Sequence, residues 1–122
     1  MADREKLLEL AERVEGLPGP DRGADLAIQM MVDPEYATIE PEVAGFLTRY
    51  GGHPAYTASL DAAMTLLLDR DRNGWHAGGH HKGGGCAYIL RRPDPIYVVA
   101  ATPALALTAA ALRARASEQE VR

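Results

Sequence analysis

Between Tyr56 and Ala116 the apolar residues change their period twice, and that succession narrows the folds open to the chain. From Thr57 to Leu68 they recur at helical spacing, with Leu60, Ala63, Met64 and Leu67 on one stripe. Thr57 and Ser59 supply capping hydroxyls, and Asp61 sits in the first turn, where the helix dipole favours negative charge. After the charged exit Asp69-Arg70-Asp71-Arg72 and the turn signal Asn73-Gly74, the period drops to two. Trp75 to Gly79 is expected as a short strand and Cys86 to Arg92 as a better one. On the second, Cys86, Tyr88 and Leu90 face one way and Ala87, Ile89 and Arg91 the other. Pro93-Asp94-Pro95 turns the chain into Ile96-Tyr97-Val98-Val99-Ala100, its most β-prone run. Thr102-Pro103 then opens a closing helix, threonine at the cap and proline at the first helical position. Three strands on tight connections predict an antiparallel meander.

Ahead of this core, residues 3 to 17 predict an amphipathic helix with Leu7, Leu10, Val14 and Leu17 on one face, ended by Gly16, Pro18, Gly19 and Pro20. Asp21 caps a second helix, roughly Arg22 to Met31, which Asp33-Pro34 stops. Segment 33–55 is variable in character: Glu40 to Leu47 reads as a short helix with Pro41 in its first turn, and Gly51-Gly52-His53-Pro54 as a break. Residues 117–122 are expected to fray. The whole, 1–122, reads as a single α+β domain, an α-β-α sandwich with a three-stranded or four-stranded antiparallel sheet packed by helices.

A chain of 122 residues, 47% hydrophobic and 25% charged, is long enough to bury a core without staples. Its net charge of -4 argues against general nucleic-acid binding, which needs a cationic field to displace condensed counterions. It leaves room for a small anion held by a few local cations. Cys86 is the one cysteine, so no intramolecular disulfide forms. The opening Met1-Ala2-Asp3-Arg4-Glu5-Lys6 is charged and carries no leader-like apolar run, and no run reaches membrane-spanning length, so a cytoplasmic protein is expected.

Tyr56-Thr57-Ala58-Ser59-Leu60-Asp61-Ala62-Ala63, then Asn73-Gly74-Trp75, then Ala101-Thr102-Pro103-Ala104-Leu105-Ala106-Leu107 with Ala110-Ala111-Leu112-Arg113-Ala114-Arg115, resembles the phage ABA sandwich domain family. Gly19-Pro20-Asp21-Arg22 resembles that family's leader segment. The resemblance spans about half the chain, rests on caps, a turn and a close-packed helix, and implies an α-β-α sandwich of phage origin, inside a bacterial host. It brings no catalytic residues. The chain departs from the pattern in the glycine- and histidine-rich loop Gly78 to Gly85 and in segment 35–55.

The chemistry-bearing residues gather on the hairpin. Trp75 and Tyr88 offer flat apolar surfaces for a base, while Lys82, Arg91 and Arg92 offer charge-assisted hydrogen bonds to phosphate. His80 and His81 sit in the glycine loop, whose backbone N–H groups can face an anion. The plainer alternatives are core packing for the aromatics, solvated strand ends for the arginines and an ordinary hairpin tip for the loop. His76, His80, His81 and Cys86 are a soft donor set, but adjacent histidines on one loop seldom reach one metal, and no metal or other cofactor is expected. Asp69, Asp71 and Asp94 make no catalytic pair from spacing, Ser59 lacks an elbow context and Cys86 lacks an activator. Two functions compete: a protein that sequesters a nucleotide-type host immune signal without cleaving it, and an accessory module that binds a protein partner. An enzyme ranks third. A homo-oligomer is expected, because the alanine-rich side of the last helix and the surplus Leu66 and Leu68 exceed what one small sheet covers.

Overall fold

The computed structural model describes residues 4–33, 40, 42–43 and 54–119. Most of segment 33–55, with most of its expected short helix and most of its glycine break, lies outside the described residues. The order is α1 (Arg4–Glu15), α2 (Arg22–Val32), α3 (Leu60–Met64), a 3-10 turn (Asp69–Asp71), β1 (Trp75–Gly79), β2 (Gly85–Ile89), β3 (Ile96–Ala100) and α4 (Pro103–Gln119). The sheet is an antiparallel meander, β1-β2-β3. His76, Tyr88 and Tyr97 stand in one cross-strand row, and Ala77, Ala87 and Val98 in the next. This is an α+β fold with a three-stranded antiparallel sheet packed against helices.

Helix α4 is the middle of the molecule. It is buried without a break from Ala104 to Leu112, around its whole circumference. The sheet lies on one side of it and α1 and α3 on others. Its alanines permit this, because a helix that meets neighbours on every side needs short side chains where backbones approach. The closest approach is at Gly85 of β2, where an added Cβ would collide with Pro103 N and the Thr102 carbonyl carbon at the start of α4. The Thr102 Oγ1 cap accepts from Leu105 N at 3.1 Å, as its sequence context predicts.

Among the polar ties between the layers, two are built around a buried carboxylate. At the first, Asp25 of α2 is fully buried and accepts from Thr57 N at 2.9 Å and Thr57 Oγ1 at 2.8 Å, while Arg22 reaches its other oxygen at 2.9 Å. Asp21 caps α2 through Ala24 N and donates its own N–H to Thr57 Oγ1. Tyr56 bonds Gln29 through its hydroxyl, and its carbonyl accepts from Thr108 of α4. Burial raises the Tyr56 pKa; Arg115 opposes the rise, and Asp25 and Asp33 add to it. Thus Asp21-Arg22 and Tyr56-Thr57, far apart in sequence, form one joint. At the second tie, Arg91 makes two parallel bonds to the buried Asp71 carboxylate, Nε at 2.9 Å and Nη2 at 3.0 Å, and a third contact to Glu118.

Three expectations change here. The helix expected over 57–68 is confined to Leu60–Met64, because Thr57 turns to Asp25 and Ser59 becomes the cap, donor-satisfying Ala62 N. The helix expected to fray after Ala116 runs on to Gln119, held by Glu118 to Arg70 and Arg91. The alanine face of α4 and Leu66, read as surplus surface for an oligomer, are covered within the chain, and Leu68 is half-buried.

Candidate functional site

The alternation in β2 divides the sheet into unlike faces. Ala87 and Ile89 turn to α4 and are fully buried. Cys86, Tyr88 and Leu90 turn outward with Tyr97 and Val99 of β3, and Leu90 and Tyr97 are 62% and 59% exposed. Tyr88 and Tyr97 meet edge to face, ring centroids 6.4 Å apart. Local desolvation, and then the neighbouring Cys86 thiol, raise the Tyr97 pKa.

At the β1 end of this face lies a shallow hollow of about 290 Å³, walled by Asn73, Gly74, Trp75, His76, Tyr88 and Leu90. The Asn73-Gly74 turn makes its floor, because Gly74 O accepts from Leu90 N at 2.6 Å and continues the β1–β2 ladder past the strands. Trp75 also borders a second hollow, of about 260 Å³, with Asp61, Met64, Thr65, Leu67 and Arg72.

The structure brings Trp75 and Tyr88 together at the first hollow and sends the other expected site residues elsewhere. His80, His81 and Lys82 occupy the hairpin tip, where two glycines, Gly83 and Gly84, take positive φ and His80 Nδ1 accepts from Lys82 N at 3.2 Å. The rings of His80 and His81 lie 4.5 Å apart. Five strand residues, about 17 Å of extended chain, separate this tip from the exit of β2. Lys82 and Arg92 therefore do not converge on one phosphate. Arg91 is not offered to a ligand: it is 7% exposed and spent on Asp71 and Glu118. Arg92 is exposed, two residues beyond Leu90, and makes no ion pair among the described residues. Asn73, His76 and Leu90 were absent from the expected site, although the two-residue period that places Tyr88 outward places His76 and Leu90 beside it. Among the described residues no three His, Cys, Asp or Glu side chains gather as a metal site, and no helix is long and apolar enough to cross a membrane.

No protein-family model matches the chain, nor does any curated protein or any solved structure.

Proposed function

We propose that the chain is a small binding protein that captures a planar, nucleotide-type molecule at the Trp75–Tyr88 hollow and releases it unchanged. The supporting observation is a hollow bordered by Trp75, His76 and Tyr88, three aromatic residues, that also carries Asn73. Stacking on an aromatic side chain contributes about 1–3 kcal/mol per base and tolerates any base. The Asn73 amide offers both donor and acceptor to a base edge. Arg92, free of ion pairs among the described residues and two positions past Leu90, supplies the forked cation for phosphate. Capture of a host immune signal by a phage protein fits this surface and the resemblance to phage ABA sandwich proteins, since sequestration needs slow release and no reacting group.

Trp75 is the only tryptophan, so its fluorescence reports the hollow directly. Titration with cyclic dinucleotides and ADP-ribose derivatives is expected to change that fluorescence saturably. Tyr88→Ala removes the effect, and Arg92→Ala weakens binding about tenfold, the worth of one charged hydrogen bond. Ligand recovered by denaturing the complex has an unchanged mass. If no compound in the panel binds, the second reading takes over: a module that docks a protein partner, favoured by the exposed apolar row of Leu90, Tyr97 and Val99.

A further inference from the structure

Among the described residues, nothing pairs with the outer edge of β1. The ladder bonds of the hairpin fall on His76–Tyr88 and Gly78–Cys86, a phase fixed at both ends by Leu90 N to Gly74 O and His80 N to Gly84 O. The backbone groups of Trp75, Ala77 and Gly79 therefore point away from β2. Among the described residues these groups find no backbone partner, and Gly79 O meets only the Cys86 thiol at 3.9 Å. Natural edges are usually blunted by lysine, proline, a bulge or a covering element. Trp75–Gly79 has none of the first three, and no described element covers its edge. The opposite edge differs: β3 follows Pro95 directly and α1 packs beside it.

We propose that β1 pairs antiparallel with β1 of a second copy of this chain, joining two meanders into one six-stranded sheet. The strand is complementary to itself. With the two-fold axis at Ala77, Trp75 lies opposite Gly79 of the other copy and His76 opposite Gly78, so each large side chain meets a residue with none. Ala77 meets its own mate. The three outward residues of each strand then exchange main-chain bonds, and the indole covers the glycine across from it, an arrangement known to stabilise edge glycines. The pairing is isologous and closes at two copies, leaving the protected β3 edges outermost. It also sets the second copy's Gly78 and Gly79 beside the Trp75 hollow, although the pairing stands whether or not that hollow takes a ligand. A foreign extended peptide would use the same bonds but would not explain why the bulky and bare halves of β1 match. Five-residue strands bury less than the roughly 800 Å² per partner of a standard interface, so the dimer dissociates on dilution.

The test is mass by sedimentation over a wide concentration range. Wild-type protein is expected to move from monomer to dimer as concentration rises. Ala77→Pro removes an outward N–H and blocks the edge, and proline is tolerated where the N–H faces solvent. Gly79→Pro does the same where an added Cβ meets nothing within 4 Å, and a melting temperature like that of wild type identifies the variant that keeps the monomer fold. Both remain monomeric where the β3-edge control Val99→Pro still dimerises. A nitroxide on Cys86, the single cysteine, checks the geometry: three strand spacings and a two-residue offset place the paired Cα atoms about 16 Å apart. Wild-type protein that stays monomeric at every concentration overturns the pairing. So does a dimer that survives Ala77→Pro and Gly79→Pro, or one that only Val99→Pro breaks.

Discussion

The inner and outer faces of the sheet are made from alternate residues of the same strands, yet one is closed by a helix and the other is left in solvent. The inner face is small at the end beside the start of α4, where Gly85, Ala87 and Ala100 let the sheet settle on the helix, and larger at Ile89 and Val98, which are buried. The outer face carries the large groups, Tyr88, Leu90, Tyr97 and Val99, in solvent. A chain gains no stability from a contiguous row of large apolar side chains left in water. Close approach to the central helix accounts for the first choice, and the proposed contact with a ligand or a second copy would account for the second.

The comparison breaks hardest at Gly85. Gly85→Ala drives a Cβ into the backbone of Thr102 and Pro103, atoms that cannot step aside without moving α4. The expected loss is more than about 4 kcal/mol in denaturant unfolding; a smaller loss would show that the inner face is not tightly seated. The next test uses neighbours that point opposite ways. Arg91→Ala leaves the Asp71 carboxylate buried and unpaired, with an expected cost of about 3 kcal/mol. Arg92→Ala, one residue on, is expected to change stability by less than about 0.5 kcal/mol. Equal melting temperatures for the two variants would erase the distinction. The smallest effect belongs to the outer face itself. Leu90→Ser and Tyr97→Ser are each expected to stay within about 0.5 kcal/mol of wild type, because their side chains are already in water. A large destabilisation would mean that the face is structural rather than reserved for contact.

Local signals carried far in this chain, and long-range ones did not. The two-residue alternation in Cys86–Arg91 assigns both sheet faces correctly, and Ile96–Ala100 and the Thr102-Pro103 start of the last helix stand where their residue types place them. The helix after Tyr56 is shorter than its propensities allow because Thr57 is taken by Asp25, 32 positions away. Arg91 looked like a phosphate ligand because its partner lies 20 residues earlier in a 3-10 turn that reads as solvated charge. Half of the candidate site followed the same rule: strand register sets His76 opposite Tyr88, and Trp75, one position off and paired with Ile89, borders the same hollow, whereas Lys82 was drawn in by nearness along the chain and sits a strand length away.

The alanines of α4 have a thermodynamic consequence beyond geometry. Ala104, Ala106, Ala109, Ala110, Ala111 and Ala114 are all sequestered, yet none surrenders rotamer freedom when the chain orders, because alanine has no rotamers to lose. Each also removes little apolar area from water, so the helix contributes cheaply on the entropic side and thinly on the hydrophobic side. Its interior resists change in both directions: trimming a methyl leaves glycine, at about 1 kcal/mol in a helix interior, and every enlargement must displace a neighbour.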